Sequence, residues 1–218
     1  MSNTEPVQVI HYRIDKWYAS LDKEALLKIH EFYKQLLSQN KSNNLISVVT
    51  IPNADLVHIA DCIEAVNIVK HLNLPIDEIY DLGSGNGLPG VIFAILNKGS
   101  KVIMVDSDQR KIEFLRHLKT TLNLSNIEIK FAKVESIPDN TIKFAISRDF
   151  ASIQKAILIT RKAFVKGGIY FHMKSEEWGS EIMQIPTQLC TYWLPGLVKD
   201  YKLPMGEVKF AVVKTEKI

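Results

Sequence analysis

Asp81-Leu82-Gly83-Ser84-Gly85-Asn86-Gly87-Leu88-Pro89-Gly90 is the stretch whose reading decides the fold. It follows a short apolar run, Glu78–Leu82, and leads into a helical stretch near Leu88–Leu96. Glycines at such a junction let the chain turn sharply. They also let a ligand touch bare backbone, with amide N–H groups and a helix N-terminus facing it. Gly85, Gly87 and Gly90 satisfy G-x-G-x-x-G, and Asp106 stands where that fingerprint has its ribose-binding carboxylate. Taken alone, the loop fits a nicotinamide dinucleotide, S-adenosyl-L-methionine or a purely structural turn.

Three features favour a methyl donor. Asp81 ends the strand, and a carboxylate there suits a cofactor carrying an ammonium and a sulfonium while repelling a pyrophosphate. About 75 residues of helical pattern precede the loop, whereas dehydrogenase fingerprints commonly start a chain. The chain closes with two strand-like runs, Leu189–Val198 and Val208–Val213, joined by a loop holding Pro204 and Gly206. A direct loop of this kind joins antiparallel neighbours. The dehydrogenase reading has one foothold, the Tyr-x-x-x-Lys spacing of Tyr170 and Lys174. That spacing works on a helix, and here it falls on an expected strand, where residues four apart lie about 13 Å from each other.

The flanks complete the outline. Upstream, Trp17, Leu21, Ala25, Ile29, Phe32 and Leu36 mark one helical face. Asp15 is the expected cap of that helix, and the Asn-rich stretch 40–44 its end. A second helix is expected over Ala54–Leu72, capped by Asn53. Downstream, the runs Glu78–Leu82, Lys101–Asp106, Ile127–Ala132, Ile142–Ser147 and Gly168–Met173 alternate with helical stretches at Leu88–Leu96, Asp108–Leu122 and Ser152–Phe164. This alternation argues for a parallel sheet covered on both faces. The expectation is an α/β, Rossmann-like class I S-adenosylmethionine-dependent methyltransferase fold, with a mostly parallel seven-stranded sheet and a C-terminal antiparallel hairpin. Residues 1–75 form a helical extension packed on a core of residues 76–218, in one structural domain overall.

Composition narrows the setting. The 218 residues are 46% hydrophobic and 23% charged, with 10 Gly and 8 Pro, which excludes disorder and collagen. The apolar run Leu88–Leu96 contains Pro89 and Gly90 and is about half the length of a membrane span. Met1–Asp15 lacks a basic start followed by an apolar core, so no secretory leader is expected. Two cysteines, Cys62 and Cys190, make neither a disulfide framework nor a zinc set, which suits a reducing cytoplasm. The net charge of +3 permits a polyanionic partner without requiring one.

Several stretches together resemble one family, the guanine-N7 methyltransferases of small-subunit ribosomal RNA (RsmG, or glucose-inhibited division protein B). They are Gly87-Leu88-Pro89-Gly90; Asn44-Leu45; His58-Ile59-x-Asp61; Asp106-Ser107 with Lys111 and Phe114-Leu115; Val134-Glu135; Ser147-Arg148-x-Phe150-Ala151; and Lys174. The resemblance implies methyl transfer from S-adenosylmethionine to N7 of a guanosine in 16S ribosomal RNA, free or in the subunit, by a cytoplasmic, monomeric enzyme without metal. It carries Gly83, Leu88, Val134, Glu135 and Arg148 over as cofactor contacts, beside Asp81, Gly85, Gly87 and Asp106 from the loop pattern.

Each residue also has a plainer reading. Asp106 could cap the following helix, Glu135 could be a solvated carboxylate, and His58 with Asp61 could brace the core. Arg148 could bind the cofactor carboxylate or an RNA phosphate, act as the one candidate catalytic group, or simply pair with Asp149. Arg110, Lys111, Arg116 and Lys119, with Lys174, are candidate RNA contacts, or else a solvated face. Lys133, Val57 and Asp149 depart from the family pattern. A methyltransferase of a small molecule or protein, a dehydrogenase and a silent binding module are the rivals.

Overall fold

The computed structural model describes residues 9–218. The expected absence of a leader rests largely on residues 1–8, which lie outside the described residues. The described residues open with one helical turn, α1 (Ile14–Trp17), and a longer helix, α2 (Lys23–Asn43). The cap of α2 is Asp22, whose carboxylate accepts from Ala25 N at 2.8 Å, and not Asp15. Residues 18–22 break the helical path, so the periodic face beginning at Trp17 belongs to two elements. The Asn-rich end is where it was expected, with Asn44 in the left-handed conformation.

The second expected helix is built in three pieces. A 3-10 turn (Val48–Asn53) leads into a π-helical turn (Asp55–Ala60) and then α3 (Asp61–Lys70). Asn53 does not cap it; its side-chain oxygen accepts from Arg13 Nη2 at 3.0 Å. Arg13 instead grips the buried Asp55 with Nε at 2.9 Å and Nη2 at 2.8 Å, tying the start of the chain to the π turn.

Among the described residues the seven strands are β1 (Glu78–Leu82), β2 (Lys101–Asp106), β3 (Ile127–Phe131), β4 (Ile142–Arg148), β5 (Phe164–Ser175), β6 (Trp193–Lys202) and β7 (Lys209–Lys217). They form one sheet in the order β3-β2-β1-β4-β5-β7-β6. Strands β1 to β5 are parallel, while β7 runs antiparallel to both β5 and β6. The crossovers are α4 (Gly90–Leu96), α5 (Gln109–Thr121) and α6 (Ile153–Thr160), with two short helices, α7 (Trp178–Met183) and α8 (Thr187–Cys190), before β6. The strand expected at Leu189 begins at Trp193 and includes Pro195 and Gly196. It is an edge strand, where a missing N–H costs no ladder bond.

Two cores flank the sheet. One joins Ile29 and Leu36 of α2 and Ile63 and Val66 of α3 to Leu115 and Leu118 of α5. The other packs Ile153 and Ile157 of α6 beneath Leu82, Ala145 and Tyr170. The helical extension thus shares a core with the helices that follow the glycine strand. No helix of the described residues is long and apolar enough to cross a membrane.

Candidate active site

The glycine loop sits at the C-terminal ends of β1 and β2, where ligands gather in doubly wound sheets. Gly83, Gly85 and Gly87 have φ of 72°, 49° and 89°, which L side chains rarely adopt. A Cβ on Gly83 would run into the Phe150 ring, and one on Gly90 into the Asp81 carboxylate. Gly83 N and Ser84 N both donate to Val105 O, at 2.9 and 3.1 Å, stitching the loop to β2. Gly85 N donates to Asp106 Oδ2 at 2.8 Å, and Asp108 N to Oδ1 at 2.9 Å. Each Asp106 oxygen keeps a second lone pair for a ligand. The cap of α5 is Asp108, which accepts from Arg110 N and Lys111 N, so Asp106 is free of that duty.

Asp81 lies beneath the loop and not at its surface. It is fully buried, with Oδ2 accepting from Gly90 N at 3.1 Å. Burial pushes its carboxyl up to about 7, against the Gly90 N–H bond that favours the anion. Among the described residues, Oδ1 of Asp81 is the buried side-chain polar atom with no hydrogen-bond partner. An unpaired buried acceptor costs about 1–3 kcal/mol.

Beside the loop opens a cleft of about 430 Å³, lined by Gly83, Val105, Asp106, Val134, Glu135, Phe150 and Lys155 among others. That volume is within the range of cofactor pockets. Val134 is buried in the wall and Glu135 stands exposed at it. Leu88 is buried, its N–H accepted by Asn86 Oδ1 at 3.1 Å. Asn86 in turn donates to Leu45 O at 3.1 Å, and the buried Asn40 Oδ1 accepts from Leu45 N and Ile46 N, each at 2.8 Å. The Asn44-Leu45 element therefore braces the loop.

Arg148 ends β4 with its side chain mostly buried. Its Nε meets Asp61 Oδ2 at 3.1 Å, and its Nη2 donates to Val57 O at 3.0 Å and His58 Nδ1 at 3.1 Å. Among the described residues, Nη1 has only the Cys62 sulfur, at 4.0 Å. Asp61 also accepts from Tyr201 Oη at 2.7 Å. Burial pushes the Asp61 carboxyl up, and Arg148 and Tyr201 oppose it. With Nδ1 accepting from Arg148, His58 presents Nε2–H to Thr50 Oγ1 at 2.9 Å. Burial and then the Arg148 charge hold His58 down to about 3, so it is neutral with both nitrogens engaged. The expected Asp149 pairing exists at 3.5 Å but is secondary to Asp61.

The candidate RNA cations divide. Arg110 and Arg116 are exposed on α5 and Lys119 is half-buried there. Lys111 is not a free cation; its ammonium donates to Asn43 O and Asn44 O, at 2.8 and 2.9 Å, closing the end of α2. Lys174 is likewise committed, to Ala151 O at 2.9 Å and to Glu181 at 2.9 Å. The Tyr170–Lys174 pair makes no dehydrogenase site, because Tyr170 is fully buried and donates to Ser147 Oγ at 2.8 Å. Sequence reading assigned no role to Phe150 or Glu181. Phe150 presses on Gly83, and Glu181 accepts from Ile153 N at 2.8 Å, fixing the start of α6 beside the cleft. Neither contact leaves a local sequence signal.

The residues present fit S-adenosylmethionine: a turn of three glycines with positive φ at the strand end, an unpaired buried carboxylate oxygen beneath it, and a strand-end carboxylate with spare lone pairs. Sheet order, closing hairpin and cleft together define a class I S-adenosylmethionine-dependent methyltransferase. Solved structures share the fold. YcgJ of Bacillus subtilis aligns with a TM-score of 0.54 at 11% identity, covering 71% of this chain and 98% of that one. The tRNA (m1A58) methyltransferase TrmI of Aquifex aeolicus aligns with a TM-score of 0.54 at 12% identity, over 72% of this chain and 68% of that one.

Sequence relationships are narrower. Residues 25–192 match the family described as GidB, rRNA small subunit methyltransferase G. The chain is 46% identical over 210 residues to "Ribosomal RNA small subunit methyltransferase G 3" of Bdellovibrio bacteriovorus, covering 96% of this chain and 95% of that protein. It is 31% identical to "Ribosomal RNA small subunit methyltransferase G" of Cellvibrio japonicus, over 85% and 80% of the two chains. The chain belongs to the rRNA small subunit methyltransferase G family, and its cofactor is S-adenosylmethionine.

Proposed function

We propose that this chain methylates N7 of a guanosine in small-subunit (16S) ribosomal RNA, acting as a cytoplasmic monomer. The carrying observation is His58, the histidine of the family-like segments, whose two ring nitrogens are both engaged. Guanine N7 is an acceptor with a lone pair and no proton. Attack by N7 leaves nothing for a base to remove, so a locked, neutral histidine suits it.

S-adenosylmethionine supplies, when bound, an electrophilic methyl on a sulfonium. The chain's residues then bind and align. Gly83, Gly85 and Gly87 offer bare backbone, Asp106 offers acceptors to a ribose diol, and Leu88, Val134 and Glu135 wall the adenosine side. Asp81 lends negative charge from below. Arg148 stands outside the lining of the cleft and acts as a positioning residue, holding the end of β4 through Asp61, Val57 and His58. Alignment of this kind can supply a large part of a barrier reduction. Residues 1–75 act with the core as one unit, and Arg110, Arg116 and Lys119 meet RNA phosphates.

The test is incubation with tritiated S-adenosylmethionine and unmodified small-subunit RNA, free and assembled, followed by nucleoside analysis. Label in 7-methylguanosine is expected. Label in another nucleoside, or none from a protein that binds the cofactor, overturns the assignment.

A further inference from the structure

A second cavity, of about 190 Å³, opens where β4 and β5 end, between Asp61, Arg148, Asp149, Met173, Lys174 and Phe210. It adjoins the cofactor cleft through the short segment 149–151, since Phe150 and Ala151 line the cleft and Asp149 lines this cavity. Its volume is below that of drug-sized pockets and matches a single heterocycle.

Most charges around it are already spent within the protein. Arg148 is held by Asp61, Val57 and His58, Asp61 also by Tyr201, and Lys174 by Glu181 and Ala151. Asp149 differs. Its side chain is 85% exposed, and its partner among the described residues is Arg148 Nε, 3.5 Å from Oδ2. Its backbone is left-handed, with φ of 54°, a conformation that Asp and Asn tolerate better than most residues.

We propose that Asp149, where this chain departs from the family pattern, adds a specificity-determining contact to the target base, its two carboxylate oxygens accepting from guanine N1–H and the N2 amino group. This inference rests on the reading of the substrate as a guanosine. An ionised carboxylate is acceptor-only, and the Watson–Crick edge of guanine presents two adjacent donors. Adenine presents an unprotonated N1 there, so the same carboxylate would face a lone pair. Bases splayed from single-stranded RNA are read on that edge. N7 lies on the opposite side of the purine, which leaves it free toward the cofactor cleft.

The experiment uses the full chain and an unmodified small-subunit RNA in which the nucleotide methylated by the wild type is replaced by inosine through ligation. Inosine keeps N7 and N1–H and lacks the N2 amino group. Asp149→Asn keeps the left-handed backbone but turns a donor toward the base, and Asp149→Gly keeps the backbone and removes both acceptors. The wild type should lose about ten- to a hundredfold in kcat/KM on inosine, the scale of one hydrogen bond to a charged group. Both variants should lose at least as much on guanosine and lose little further on inosine, with cofactor affinity by calorimetry unchanged. Equal wild-type rates on inosine and guanosine, or variants that lose as much again on inosine, overturn the proposal while the N7 assignment stands. Absence of 7-methylguanosine from the wild-type reaction overturns both.

Discussion

The glycine loop after β1 and the Arg148 cluster after β4 lie at the ends of neighbouring strands and treat buried charge in opposite ways. Under the loop, Asp81 is fully buried with one oxygen unpaired. In the cluster, Arg148, Asp61 and His58 are paired with one another and with Tyr201, Thr50 and the Val57 carbonyl. An unsatisfied group is tolerated where a ligand will arrive. A satisfied network is a strut, here one that fastens the helical extension to the sheet.

Gly85→Val should break the loop side most severely. A branched side chain at φ of 49° is strained and fills the backbone approach. Calorimetry should find S-adenosylmethionine affinity down by more than about a hundredfold, with circular dichroism showing an intact fold. Retained affinity would mean that the ligand does not lie against this backbone.

Asp61→Ala should break the cluster side, through stability first. Removing one partner leaves Arg148 buried and uncompensated, a loss of about 3–5 kcal/mol in urea unfolding. Cofactor affinity of the folded fraction should stay within about threefold. A stable variant that no longer binds cofactor would turn the strut into a binding group and erase the contrast between the regions.

The contrast also explains what could be read from the sequence. The loop was legible because its chemistry is local: three glycines, Asp81 and the next strand's Asp106 are set by spacing. The parallel strands were legible for the same reason, through short apolar runs. The first helix was misplaced because Asp15 and Asp22 are both plausible caps, and only packing sets where the chain bends. Arg148, Lys111 and Lys174 looked like ligand-facing cations because a sequence displays a charge without its partner. Their partners lie 91, 68 and 23 residues away, at Val57, Asn43 and Ala151. Phe150 lies in a family-like segment, yet its contact with Gly83 exists only once β1 and β4 are neighbours.

A smaller effect sharpens the loop side. Burial keeps Asp81 protonated up to about pH 7. A cofactor bearing an ammonium and a sulfonium favours the anion, so loading below that pH releases a proton. Affinity should strengthen by roughly tenfold between about pH 6 and 8, and Asp81→Asn should flatten the dependence. The sign for stability is the reverse. The folded chain retains this proton after the unfolded chain has lost it, so the unliganded protein loses stability from about pH 4 up to 7. A cofactor affinity that ignores pH in the wild type would place the cationic groups away from Asp81.

The most direct test of alignment without a general base is the pH profile of single-turnover methyl transfer at saturating cofactor and RNA, where the Asp81 effect on binding is removed. His58 is held neutral down to about 3 and has no spare lone pair. The rate should therefore be nearly flat between about pH 6 and 8.5, and His58→Ala should lower stability while leaving the rate within about tenfold. A steep rise through about pH 6.5 that disappears in His58→Ala together with nearly all activity would contradict the account. The methylated atom would then carry a proton, and the N7 assignment would fall with it.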